Sequence, residues 1–196
     1  MLTAELSDAR LGLLTASMAA TICGGLDTDG LRKYVDKLAG ERVFGDLGED
    51  SYKSRFMRRG EEVEEEALQW FEFRFELELI RQPFVQHPTI SYVSACPDGL
   101  PLEERFCVEA KSPIFSTYCE VMRRRQVPSQ YRWQCRWQAW CCGFEETRFV
   151  AFHNAAQNGI VVPFRVLDED IDFMTKRAAL VNEMVEETAE LLRRAA

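Results

Sequence analysis

The chain has 196 residues, which is the size of one domain. Hydrophobic residues make up 46% and charged residues 29%, so a disordered chain, a collagen-like repeat and a membrane bundle are excluded. A net charge of -8, from 24 Lys+Arg against 32 Asp+Glu, argues on its face against a nucleic-acid partner, whose domains are usually basic.

The 7 cysteines are odd in number and include no CxxC pair. Reduced thiols in an intracellular chain are expected. An iron–sulfur cluster needs four thiolates. Cys135, Cys141 and Cys142 with one distant cysteine supply that number, but adjacent cysteines are poor joint ligands. The apolar run Leu11–Gly25 lacks a cationic start and is too short to span a bilayer. A soluble chain is expected, organised as one domain over 1–196.

The first expected element is a short helix that Thr15 is placed to cap and Gly24-Gly25 ends. A second helix starts at Asp29-Gly30, with Leu31, Tyr34, Val35 and Leu38 on one face. Gly45–Asp50 reads as a loop and about Tyr52 to Arg74 as a third helix. Strands are expected at Glu76–Gln86, Thr89–Ala95 and Phe106–Ala110, with a turn at Cys96-Pro97-Asp98-Gly99. A helix over about Pro128–Cys142 stops at Gly143. Strands Thr147–His153 and Ile160–Val166 precede a last helix from Asp168. This order predicts an α/β fold, with a central mixed β-sheet flanked by helices.

The most informative stretch joins Pro97-Asp98 to Val108-Glu109-Ala110-Lys111. Strand side chains alternate, so Glu109 and Lys111 share the face opposite Val108 and Ala110. Asp98 ends the preceding strand in this reading, and antiparallel pairing brings it near Glu109. Two neighbouring carboxylates need a cation between them. Mg²⁺ suits an oxygen donor set that includes one or two carboxylates. Lys111 on the same face is placed to orient or activate a water. Metal, water and ammonium together suit phosphodiester hydrolysis.

Other segments carry supporting chemistry. Arg10 and the start of the helix at Ser17 combine a bidentate donor with free backbone N–H groups, a combination that binds anions. Arg132 and Arg136, four apart on one helix, are candidate phosphate contacts, as are Arg58, Arg59 and Arg123–Arg125. In the run GEEVEEEA at Gly60–Ala67, Glu61 and Glu65 point away from the stripe of Val63, Ala67, Trp70 and Phe71. Glu64 and Glu66 flank that stripe, and periodicity does not choose between them. Trp133, Trp137 and Trp140 form a core stripe, beside a row of Gln130, Gln134 and Gln138.

The sequence resembles the PD-(D/E)xK nucleases, and within them the lambda exonuclease and YqaJ-like viral recombinase group. Pro97-Asp98 and Glu109-Ala110-Lys111 carry the signature, and the similarity runs from about Arg10 to Trp140. The resemblance implies a restriction-endonuclease-like core and a Mg²⁺-dependent deoxyribonuclease in which Mn²⁺ substitutes. It implies 5′→3′ digestion of linear double-stranded DNA in phage-type recombination. By its spacing from Gly60 and Ala67, Glu64 takes the role of a further metal-site residue, with Glu61 second. Asp98, Glu109 and the Ala110 carbonyl take the metal. Lys111 and Gln134 take catalytic roles around the water and phosphate. Arg10 and Ser17 hold a terminal 5′-phosphate. The resemblance also implies a homotrimeric ring, a single-strand-annealing partner, and the cytoplasm of a bacterial or phage-infected cell. A restriction-type or RecB-like nuclease, its iron–sulfur branch included, is the near alternative. A non-catalytic DNA-binding or assembly subunit is the distant one.

Overall fold

A computed structural model describes residues 9–47 and 55–195, excepting the side chains between 55 and 62. Two sheets organise it. The smaller has the order β1-β4-β3, with β1 (Leu14–Thr15), β3 (Val85–Gln86) and β4 (Val93–Ala95). The larger has the order β2-β5-β6-β7-β8, with β2 (Leu79–Arg81), β5 (Gly99–Pro101), β6 (Cys107–Lys111), β7 (Glu146–His153) and β8 (Asn158–Arg165). β6 and β7 run parallel, so the chain crosses between them through two helices. These are α4 (Phe115–Arg124) and α5 (Ser129–Cys142). The other helices are α1 (Ala19–Ile22), α2 (Asp29–Phe44), α3 (Arg55–Phe75) and α6 (Asp168–Ala195).

The helix periodicity reads through into packing. Leu31, Tyr34, Val35 and Leu38 of α2 are all buried, against Met174, Ala178, Val181 and Val185 of α6. Trp137 and Trp140 join that cluster, and the Trp137 indole donates to the Ser94 carbonyl at 3.1 Å, tying α5 to β4. The stripe of α3 packs Val63, Ala67, Leu68 and Phe71 on Val108, Ala110, Val150 and Phe152. On the opposite face of the large sheet, α4 and α5 cover Phe149, Ala151, Ile160 and Val162.

Three expectations need correction. The strand expected over Glu76–Gln86 is two short ones, because Gln82 adopts φ 43 and Pro83 comes next. The strand expected from Thr89 starts only at Val93, since the His87 ring accepts the N–H groups of Thr89 and Ile90 in a turn. α4 has no counterpart among the expected elements. Its N-cap is Ile114, which offers no capping oxygen, and its C-cap is a left-handed Arg125 rather than glycine. The usual start and stop residues are missing.

Thr15 sits where a cap is expected, but its side chain makes no capping bond. Beyond it the chain forms a 3-10 turn, Ala16–Met18, and then a single α turn, too short for a macrodipole. All seven cysteines are free thiols. Among the described residues, no helix is long and apolar enough to cross a membrane.

Candidate active site

β5 and β6 pair at one position only, Gly99 with Val108. Beyond it the strands diverge, and the Asp98 carboxylate takes the place of the missing backbone partner. It accepts the Ala110 N–H at 2.7 Å. Asp98 therefore stands at the head of β5 in the large sheet, not at the end of the preceding strand as expected. The N–H and C=O of one residue leave a strand on the same side, so the Ala110 carbonyl also points to the Asp98 edge.

Glu109 and Lys111 project from β6 toward α5. The Lys111 ammonium lies 2.6 Å from Glu109, 3.5 Å from Glu64 and 3.8 Å from Asp98. Three carboxylates from β5, β6 and α3 thus converge on one cation. Glu109 is fully buried, and two side chains of α5 hold it. Gln134 donates to its Oε1 and Gln138 to its Oε2, each at 2.5 Å. The two glutamines are four residues apart and so share one helix face. Gln138 belongs to the glutamine row visible in the sequence, but periodicity alone gives it no role.

The electrostatics are set by burial. Desolvation drives the Asp98 carboxyl well above the usual carboxylate range, and the charges of Glu109 and Glu64 push the same way. Lys111 and the Ala110 N–H pull it back. For Lys111, burial favours the neutral amine, but Glu109, Asp98 and Glu64 outweigh it and hold the proton on.

The N-terminal motif reaches the same place. Arg10, Thr15 and Ser17 line a cleft of about 180 Å³ together with Gln82, Cys96, Asp98 and Gln134. Side chains of α2 shape this loop. Glu41 accepts the Gly12 N–H at 2.8 Å, and Arg42 donates to the Gly12 carbonyl at 2.8 Å. The Tyr34 hydroxyl accepts the Thr15 N–H and donates to the Leu13 carbonyl.

Comparison with known proteins decides the family. Residues 5–145 match the YqaJ-like viral recombinase domain. The chain belongs to this family. No match was found among curated protein sequences. Its structure is similar to an alkaline exonuclease, LHK-Exo, from Laribacter hongkongensis, with a TM-score of 0.86 and 24% identity over 98% of this chain and 97% of that one. LHK-Exo in complex with dAMP matches equally well. A phage-related exonuclease from Haemophilus somnus 129PT matches with a TM-score of 0.70 and 13% identity, over 94% and 96% of the two chains. These likenesses show the fold, the restriction-endonuclease-like PD-(D/E)xK core with its mixed sheet between helices.

The remaining candidates are spread more widely. Arg132 is half-buried and donates through Nε to the Val127 carbonyl, and it does not line the cleft. Arg136 pairs with Asp170 at 2.8 Å and stacks over Trp133 and Phe164, so it fastens α5 to α6 rather than facing a phosphate. Arg123 and Arg124 are exposed at the end of α4, where Arg124 pairs with Glu120. Glu65, pointing away from the apolar stripe, pairs with Arg81 at 3.2 Å. The side chains of Arg58, Arg59 and Glu61 lie outside the described residues. Among the described residues, no group of three or more His, Cys, Asp or Glu is placed to hold a metal ion. The carboxylates are gathered on Lys111 instead. An all-oxygen donor set of this kind suits a hard divalent ion.

Proposed function

We propose that the chain is a Mg²⁺-dependent deoxyribonuclease, a 5′→3′ exonuclease on linear double-stranded DNA. The convergence of Asp98, Glu109 and Glu64 on Lys111, with Arg10 and Ser17 in the adjoining cleft, carries this reading. The family and the fold of the exonucleases it resembles support a nuclease.

Asp98, Glu109 and the Ala110 carbonyl hold the ion, and Glu64 completes the site directly or through water; Mn²⁺ substitutes. Bound there, the metal polarises the scissile phosphate and lowers the pKa of a water. Lys111 orients or activates the attacking water and offsets phosphate charge. Gln134 keeps Glu109 turned toward the cation position. Arg10 grips the terminal 5′-phosphate through a bidentate contact and Ser17 adds a hydroxyl. The side chains carry this contact, because the helix behind them is a single turn. Arg132, anchored at Val127, offers its remaining N–H groups to the DNA backbone. One nuclease domain over 1–196 assembles as a homotrimer in the cytoplasm of a bacterial or phage-infected cell. It acts with a single-strand-annealing protein in recombination.

Three substrates with Mg²⁺ test the activity. Linear duplex with a 5′-phosphate is digested, linear duplex with a 5′-hydroxyl is digested more slowly, and closed circular duplex survives. Nicking of the closed circle points to the endonuclease alternative. Absence of metal-dependent cleavage on all three points to the non-catalytic subunit. Light scattering tests assembly separately, and a monomer mass at working concentration removes the trimer.

A further inference from the structure

We propose that Gln82 is a further contact for the terminal phosphate of the DNA, its side-chain amide donating to a phosphate oxygen in the cleft where the two sheets meet. This rests on the 5′-end reading above and adds a residue to it.

The chain passes between the sheets at two places beside Asp98. One is Cys96-Pro97-Asp98, which joins β4 to β5. The other is Gln82-Pro83-Phe84, which joins β2 to β3. The two connections are tied together, because the Gln82 N–H donates to the Asp98 carbonyl at 3.0 Å. Both line the cleft of about 180 Å³, which Arg10, Thr15 and Ser17 enter from the segment that carries β1. That volume is below the roughly 300–1,000 Å³ of pockets that enclose whole small-molecule ligands. It suits the end group of a strand rather than a complete nucleotide.

Most polar side chains around the cleft are already committed. Gln134 donates to Glu109, the Asp98 carboxylate accepts the Ala110 N–H, and the Thr15 and Ser17 hydroxyls bond each other at 3.2 Å. The Gln82 side-chain amide is different. It is half-buried and has no hydrogen-bond partner among the described residues. An amide partly withdrawn from water gains when an oxygen in the cleft accepts from it, and most when that oxygen is charged.

Gln82 is also held in place. Its φ of 43 is left-handed, a conformation that costs glutamine energy and glycine none. Pro83 follows and stiffens the turn. Backbone conformations of this sparse kind cluster at ligand clamps. A side chain on so constrained a backbone loses little freedom when it meets its partner. The neutral amide suits the position. A cation there would compete with Lys111 for the carboxylates, and a carboxylate would repel the phosphate. An amide donates to phosphate oxygens and leaves the charged set intact.

Fluorescence anisotropy tests this with short blunt duplexes that carry a 3′ label and differ only in a 5′-phosphate or a 5′-hydroxyl. EDTA is present, so nothing is cleaved. The wild-type chain binds the phosphorylated end more tightly. Gln82→Met removes the donor at similar volume. Its preference for the phosphorylated end, read as the ratio of the two dissociation constants, falls by about tenfold, the loss of one hydrogen bond to a charged group. Gln82→Glu lowers the preference further. Gln82→Gly accepts the left-handed backbone without cost and lowers it as Gln82→Met does, which separates the side chain from the turn. The glycine variant also decides the matter if Gln82→Met does not fold. A preference unchanged in these variants, or both ends weakened by the same factor, overturns the proposal and leaves Arg10 and Ser17 as the phosphate contacts. A wild-type chain that does not distinguish the two ends overturns the 5′-phosphate reading, and this inference with it.

Discussion

Val108 and Ala110 point from β6 into a cluster with Phe71, Phe106 and Phe152, while Glu109 and Lys111 point from the same strand to three other charged or amide-bearing elements. The first face is held by apolar burial, which is non-directional and tolerant of small changes in its parts. The second is held by mutual pairing. Burial of a charge is strongly unfavourable, and losing one partner leaves another uncompensated. A single strand thus carries the part of the molecule that makes it stable and the part that makes it reactive, separated only by the alternation of side chains. Mutation of the first face should therefore show in stability alone, and mutation of the second in rate beyond any change in stability.

Lys111→Ala is expected to have the largest effect. It removes the group that orients water and offsets charge, so cleavage of 5′-phosphorylated linear duplex falls by about 10²–10⁴-fold. Single-turnover rates per folded molecule measure this. Undiminished cleavage would falsify the assigned role of Lys111. Phe71→Ala attacks the other face. It empties a fully buried ring site and lowers unfolding free energy by about 3–5 kcal/mol in urea titration. The fraction that remains folded cleaves at the wild-type rate. A loss of rate beyond the loss of fold breaks the separation of the two faces.

Gly12→Ala sharpens the comparison at the rim of the reactive face. Gly12 has φ +69, and a Cβ there meets Arg42 Cγ at 2.6 Å. The left-handed conformation costs an alanine about 1–2 kcal/mol. Arg42 must then release the Gly12 carbonyl, and the segment from Arg10 to Ser17 shifts. The expected result is a several-fold fall in the rate ratio between 5′-phosphate and 5′-hydroxyl ends. Equal ratios in the two proteins separate Gly12 from the phosphate contact.

Much of this is legible in the amino-acid order, and the reason differs by element. Long amphipathic helices repeat their signal over several turns, so α2, α5 and α6 start and stop close to where periodicity places them. The alternation along β6 puts Glu109 and Lys111 together for the same reason. Short strands at the sheet junction do not read through. Their bounds depend on the positive φ of Gln82 and on where β5 peels away from β6, and these are tertiary facts. Glu64 needs the family spacing, because a run of glutamates looks the same whether or not one of them meets a lysine on another element. The arginines named as candidate phosphate contacts divide in the structure. Arg10 lines the cleft, whereas Arg136 serves α6. The net charge of -8 is a poor guide, since an average over the chain does not report a local site.

Asp98→Asn should produce the smallest change in stability, and one of opposite sign. The folded-state pKa of Asp98 is raised, first by burial and then by Glu109 and Glu64. A carboxyl of this kind binds its proton more tightly in the folded chain than in the unfolded one. Its contribution to stability is complete below the ordinary aspartate pKa of about 3.9 and is lost as pH rises through the folded value. Asparagine is neutral at every pH and still offers an oxygen to the Ala110 N–H. In the absence of divalent ions the variant should therefore match the wild type near pH 4 and melt above it near pH 8, by about 1 kcal/mol. Added Mg²⁺ should reverse the order, because the ion stabilises the ionised carboxylate and finds none in the variant. Melting curves in EDTA and in MgCl₂ at the two pH values measure all four states. A variant that melts below the wild type in EDTA at pH 8 means that Asp98 is held by its pairing with Lys111 more strongly than burial opposes it. The polar face would then be a source of stability in its own right, and the contrast with Val108 and Ala110 would disappear.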